Sequence, residues 1–146
     1  MKAVIQRAKQ AEVSTEEKTI GKINSGMVIL LGVGEEDVQQ TTKKVAEKIL
    51  KLRIFPSANK NIDRSVQEVE GEILVVPQFT LCADTSKGNR PSFMKAAEPE
   101  KAKELYLDFI DYLKENSDLR IATGKFGAMM NVSLVNDGPV TILLEE

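Results

Sequence analysis

Met27-Val28-Ile29-Leu30-Leu31, introduced by Gly26, is a continuous apolar run of the kind found in a strand buried on both faces. Upstream, Met1-Lys2-Ala3-Val4-Ile5-Gln6-Arg7 alternates weakly, and Ser14 to Lys18 is polar and turn-like, so residues 1–33 read as strands. Downstream the period changes. Asp37 offers a helix cap, and Val38, Val45, Ile49 and Leu52 recur at spacings that put them on one helical face. Lys43, Lys44, Lys48 and Lys51 fall off that stripe, on the solvated side. Ser57 to Asn61 reads as a loop, and Gly71 opens a strand over Glu72 to Val76 that delivers Pro77-Gln78-Phe79-Thr80-Leu81 at its end. Asp84 to Pro91 is polar and glycine-containing, the pattern of a mobile loop or lid. Pro99 suits the first turn of a second helix, with an apolar stripe of Ala102, Leu105, Tyr106, Phe109, Ile110 and Leu113 and a stop at Asn116-Ser117. From Ile121 onward the chain reads as two or three strands punctuated by Gly124, Gly127 and Gly138. With no repeat, linker or low-complexity tract, the pattern predicts one α/β domain over residues 1–146.

Composition narrows the function. A chain of 146 residues suits one domain that buries roughly 68–70% of its unfolded surface. The opening residues lack the apolar stretch of a signal peptide, and nothing approaches the roughly 20 apolar residues of a membrane span. A single cysteine, Cys82, suggests a reducing, cytoplasmic setting. Twenty basic residues against twenty-two acidic ones give a net charge of −2, which disfavours bulk attraction to nucleic acid, DNA included, while allowing a local basic patch. No membrane partner is expected.

The exclusions are sharper still. The chain has no histidine, so it has no Ser-His-Asp or Cys-His relay and no His-bearing zinc site. One cysteine cannot build a Cys-rich metal site, and no phosphate-binding loop or strand-linked GxGxxG occurs. Neither a metal nor a cofactor is expected. Chemistry must come from backbone groups, hydroxyls and amides.

Two segments fit that requirement. Gln78, Phe79 and Thr80 lie at a strand end, where N–H groups unpaired by the sheet would face a developing oxyanion. Gln78 adds a side-chain donor and Thr80 a hydroxyl. The plainer reading is a strand terminus with a buried Phe79. In the second segment, Pro139 interrupts an otherwise good strand pattern from Leu134 to Leu143. Gly138-Pro139 would then be a simple turn, or a cis bond turning two carbonyls to one side for a ligand ammonium group. Lys87, Asn89 and Arg90, with Lys95, Lys101 and Lys103 beyond, offer a phosphate-binding edge or an ordinary solvated surface. Cys82 reads as a small hydrophobe. Phe126-Gly127-Ala128-Met129-Met130 reads as core, or as a ligand wall.

Taken together and in this order, these segments resemble the D-aminoacyl-tRNA deacylases. That family carries a Ser-Gln-Phe-Thr-Leu segment, matched here in four of five places at Pro77 to Leu81, and an Asn-x-Gly-Pro-Val-Thr segment, complete at Asn136 to Thr141. The likeness extends to Val4-Ile5-Gln6-Arg7, Leu52-Arg53-Ile54-Phe55, Lys87-Gly88-Asn89-Arg90-Pro91 and Lys125 to Met130. It implies mixed or antiparallel sheets in two layers with helices packed on one side. It also implies hydrolysis of the ester between a D-amino acid, or glycine, and the 3′ end of tRNA.

By the same resemblance the protein is a homodimer in which a cis Gly138-Pro139 enters the partner's site. There it would hold the α-amino group and reject L-amino acids, with Arg7 supporting it. Gln78 and Phe79 would line the reaction centre, with the Phe79 amide as oxyanion donor. Thr80 would act as nucleophile, or leave that part to the tRNA's own 2′-hydroxyl. Phe126 and Met129 would bind substrate, and Lys87 and Arg90 would bind RNA. Pro77 departs from the family's serine, and an animal tRNA deacylase with relaxed chirality also has Pro-Gln at this point. A deacylase that accepts small L-amino acids, a non-catalytic RNA-binding module and a cysteine-dependent hydrolase through Cys82 are the alternatives.

Overall fold

In the computed structural model, which describes residues 1–16 and 18–146, the Met27–Leu31 run forms the centre of a strand, β3 (Gly26–Gly32). Met27, Val28 and Ile29 are all fully buried, so both faces of β3 are covered. Of the expected Ser14–Lys18 turn, Glu17 lies outside the described residues. β3 pairs antiparallel with β1 (Lys2–Ser14) and parallel with β4 (Glu72–Pro77), and β4 pairs parallel with β5 (Ile121–Thr123).

β1 organises the rest. Its Lys2–Ala8 half pairs with β3 and its Ala11–Ser14 half with β2 (Thr19–Ile23). Both halves also pair with the last strand, β6 (Asn131–Glu145), which must therefore lie on the opposite edge. All six strands among the described residues thus belong to one mixed sheet, and its two layers arise because that sheet curls. The curl brings β2 over β5 so closely that a Cβ on Gly21 would lie 2.7 Å from the Thr123 carbonyl oxygen.

Side chains alternate across this sheet with the period of two that a pleated strand imposes. Val28, Leu74 and Val76 point into the curl, where Val13 and Ile23 join them. Met27, Ile29, Ile73 and Val75 point outward against the helices. α1 (Gln39–Leu50) covers them with Val45, Ala46 and Ile49. α2 (Pro99–Glu115) opens on its proline, buries all six residues of the predicted stripe and stops at Asn116, whose N–H donates to the Tyr112 carbonyl. Phe109 is wholly buried between the layers, a burial that contributes about 1.5–3 kcal/mol.

The start of α1 differs from the sequence expectation. Asp37 does not cap it. Its carboxylate accepts from the Gly34 N–H at 2.6 Å and pairs with the Met1 amine at 2.5 Å, partners that compete successfully with a helix end. The N-cap is Val38, which is 52% exposed, and Leu52 lies beyond the last turn, so neither belongs to the buried stripe. The C-terminal region holds two strands, β5 and β6. Among the described residues no helix is long and apolar enough to cross a membrane.

The seam between β2 and β5 tolerates no side chain at Gly21. Gly21→Ala should cost about 1–3 kcal/mol, read as a lower urea midpoint at unchanged slope; an unaltered midpoint would show that the seam can open without penalty.

Candidate active site

β4 leads to the site, and its last residue is compatible with the sheet. The Ile73 N–H donates to Arg120 and the Val75 carbonyl accepts from Gly124, so alternate residues of β4 face β5. Pro77 continues that set, but β5 has ended at Thr123, so the missing N–H of Pro77 forfeits no ladder bond. The next residue turns back to β3, with the Gln78 N–H donating to the Leu31 carbonyl at 2.8 Å.

The chain then tightens into a 3₁₀ turn, Phe79–Cys82. The first N–H groups of such a turn have no acceptor within it. Those of Phe79 and Thr80 also have none elsewhere among the described residues. The Gln78 side-chain amide donates to Thr80 Oγ1, which fixes the hydroxyl beside these two free donors. Phe79 is not buried: it is 58% exposed and packs edge-on against Phe93, with ring centroids 5.0 Å apart.

These groups stand at one side of a cavity of about 630 Å³. Tyr106 of α2 and Phe126 wall it, with ring centroids 5.9 Å apart, and Met129 lies at its rim, 89% exposed. The Tyr106 hydroxyl donates to the Val75 carbonyl at 3.0 Å, and burial pushes its pKa well above the usual phenol range. The Phe126–Met130 segment therefore lines the cavity, while Phe126 and Met130 also pack against the hydrophobic core. Cys82 is buried beneath the turn with Sγ 3.5 Å from the Val33 carbonyl oxygen, and burial pushes its thiol pKa up. It is a small hydrophobe with no access to the cavity.

Gly138 and Pro139 occupy a different place. In the β1–β6 ladder Gln6 faces Thr141 and Ala8 faces Asn136, so Arg7 alone stands opposite the whole Asp137–Val140 segment. The strand pattern is not ended by Pro139; the surplus residues are pushed out as a bulge. The Gly138–Pro139 bond is cis, both residues are exposed, and neither lines the cavity of their own chain. The Asn136 side chain closes the bulge at its base. Its Oδ1 accepts from the Val140 N–H at 3.1 Å and its Nδ2 donates to Thr141 Oγ1 at 2.9 Å. Sequence places Asn136 at the head of the Asn136–Thr141 segment but gives its side chain no role, although an Asn two residues before a Gly-Pro pair is a recognisable turn-closing signal.

Arg7 pins the bulge from the β1 side. It is buried, and its Nη1 donates to the carbonyls of Ile54 at 2.7 Å and Asn61 at 3.1 Å. Its Nε donates to the Asp137 carbonyl at 3.2 Å and pairs with the Asp137 carboxylate at 3.1 Å. Gly138 has φ +123°, and a Cβ there would meet Val140 Cγ2 at 2.8 Å and Arg7 Nη2 at 3.1 Å. Only glycine fits.

The basic residues divide. Lys87 and Arg90 are exposed on the Asp84–Ser92 loop and form no ion pair among the described residues. Lys95 pairs with Asp84 at 3.3 Å, and Lys101 donates to the Glu35 carbonyl at 2.6 Å, so these two have partners within the protein. Ser86 and then Lys95 hold the Asp84 carboxyl down at about 2.

Residues 4–145 match the family model described as D-Tyr-tRNA(Tyr) deacylase. A D-aminoacyl-tRNA deacylase of Thermosipho africanus is 52% identical over 99% of this chain and 97% of its own. Another, from Clostridium novyi, is 46% identical over the same shares. Among solved structures, the c-Myc DNA unwinding element binding protein superposes with a TM-score of 0.95 at 41% identity, over 100% of this chain and 99% of that one. A probable eukaryotic D-amino acid tRNA deacylase, at 18% identity and a TM-score of 0.80 over 98% and 97% of the two chains, shares the fold.

Removing the Arg7 cation would leave the carbonyls of Ile54, Asn61 and Asp137 without their donor. Arg7→Met, of similar length, should lose about 3 kcal/mol in urea unfolding; a wild-type midpoint would mean the bulge holds itself.

Proposed function

The chain belongs to the D-Tyr-tRNA(Tyr) deacylase family, a family of hydrolases, and from that premise we propose that it cleaves the ester joining a D-amino acid to the 3′ end of tRNA. The observation that carries this reading is the pair of unpartnered N–H groups at Phe79 and Thr80, set beside a largely apolar cavity of about 630 Å³. The cavity takes the terminal nucleoside between Phe126, Met129 and Tyr106. The ester carbonyl oxygen lies at the Phe79 and Thr80 amides, where each such donor contributes on the order of 2.7–4 kcal/mol to the tetrahedral transition state.

Water adds to the carbonyl carbon, the bond to the ribose oxygen breaks, and the products are the free amino acid and tRNA with a restored terminal hydroxyl. Thr80 Oγ1, oriented by Gln78, positions the attacking group, and the 2′-hydroxyl of the terminal ribose assists the proton transfer. An aminoacyl ester is already activated, so positioning and an oxyanion site suffice where histidine is absent. The Asp84–Ser92 loop brings Lys87 and Arg90 to the RNA phosphates.

Selection by handedness falls to the Gly138-Pro139 bulge. It stands outside the cavity of its own chain, which suits entry into the cavity of a second copy. β6 supports that arrangement: among the described residues it pairs only with β1, and Val135 and Leu143 on it are 46% and 67% exposed. A long strand with one open edge and exposed apolar residues is a pairing surface. In the homodimer, backbone carbonyls of the bulge receive the α-amino group and its bulk excludes an L side chain. Such a filter reads no side chain, so D-amino acids of many kinds pass, and glycine with them. Pro77 costs the sheet nothing, and the presence of Phe79 together with the complete Asn136–Thr141 segment favours the D-specific form over one relaxed toward small L-amino acids. The 41%-identical structure is named for binding a DNA element, whereas a net charge of −2 with one short basic loop favours an RNA end over a duplex here. The cytoplasm, where tRNA is charged, is the expected compartment.

Single-turnover hydrolysis of matched D-tyrosyl- and L-tyrosyl-tRNA tests the reading: rapid loss of the D ester alone is expected, and loss of neither ester would end it. Gly138→Ala, which drives a methyl group into Val140 and Arg7, should lower D/L selectivity or D-ester turnover by at least tenfold. Wild-type selectivity in that variant would remove the bulge from the mechanism.

A further inference from the structure

The segment after the basic loop carries large apolar side chains that the reaction centre does not use. Phe93 is 37% exposed and Met94 is 86% exposed. They do not sit on a frayed loop. The Asp84 and Ser92 backbones exchange hydrogen bonds of 2.8 and 2.9 Å, and the Ala96 N–H closes a turn onto the Phe93 carbonyl at 2.9 Å. The far side of the turn is fastened to the end of β3, with Ala97 donating to Val33 at 3.0 Å and Glu35 to Lys95 at 2.9 Å. A turn anchored at both ends therefore holds Met94 in solvent, and Phe93 meets Phe79 at the cavity's edge.

We propose that Phe93 and Met94 form a second RNA subsite, a stacking ledge for the unpaired base that precedes the substrate's terminal nucleoside. The inference rests on the function proposed above and extends it by one nucleotide. Three observations select this occupant. The ledge adjoins the cavity through the Phe79–Phe93 contact, so a strand leaving the cavity passes over it. Lys87 and Arg90 lie on the loop leading into it and have no ion-pair partner among the described residues; exposed aromatic or thioether groups beside free cations suit single-stranded nucleic acid. On its other side the same segment borders a cleft whose six side-chain carboxylates, with Glu35 and Glu36 in no ion pair among the described residues, outnumber its three cations, Lys2, Lys95 and the Met1 amine. That acidic wall repels phosphates and confines the strand to the apolar side.

The test uses three D-tyrosyl esters: on adenosine alone, on the trinucleotide CCA, and on CCA whose middle residue lacks its base. Wild-type protein should cleave the intact trinucleotide with a kcat/KM roughly tenfold above the abasic one, in keeping with base stacking. Met94→Ala should bring that ratio close to one, mainly through KM. Phe93→Leu should act in the same direction, and Met94→Phe should restore the ratio. Equal rates on intact and abasic trinucleotides, or a wild-type ratio in Met94→Ala, would overturn the ledge while leaving the deacylase reading intact. Failure to cleave any of the three esters, or D-tyrosyl-tRNA itself, would instead overturn that reading, and the ledge with it.

Discussion

The pairing of β1 with β6 is the constraint on which the rest of the molecule depends. These are the two longest strands, and the larger of the two breaks in their ladder, followed by a one-residue shift at Lys9, is where Arg7 faces the surplus Asp137–Val140 segment. Because the register resumes at Gln6 and Thr141, the surplus has nowhere to go but outward. The Arg7 guanidinium then joins three separate parts of the chain, the bulge, the end of the α1 connection at Ile54 and the loop at Asn61. The position of Gly138-Pro139 is thus a property of the whole sheet.

The second site-forming feature has the opposite origin. The free amides at Phe79 and Thr80 come from a local event, the change from strand to 3₁₀ turn, and need no distant partner. What the fold adds is a wall. α2 lies across the end of β4, and the Tyr106 hydroxyl fixes that end by binding the Val75 carbonyl. Helix and strand therefore meet through one buried hydrogen bond directly before the residues that face the cavity.

Much of this was legible in the sequence where a single periodicity decided it. β3 was a plain apolar run, and the six stripe residues of α2 are all buried because an amphipathic helix against a sheet has one solution. The errors came where side chains had a choice of partner. Asp37 looked like a cap but found an amine and an amide closer by. Phe79 looked buried because aromatics usually are, yet the tight turn rotates it to the surface. Likewise, no local pattern could show that two layers come from one curled sheet, or that Asn136 bridges to Val140 and Thr141, since these follow from register. Within the candidate site, Gln78, Phe79, Thr80, Phe126 and Met129 converge on one cavity. Arg7, Gly138 and Pro139 form a second cluster apart from it.

A surface whose proposed working groups are peptide amides and carbonyls has an unusual relation to mutation. Substituting Phe79 or Thr80 changes a side chain but leaves an N–H in its place, and no codon change short of proline deletes it. What variation can alter is the path of the main chain, through residues such as Gly138 and Asn136 that shape a loop without offering a side chain to a ligand. Drift in this protein should accordingly spare atoms and threaten curvature, so that its vulnerable positions are the ones that look chemically inert.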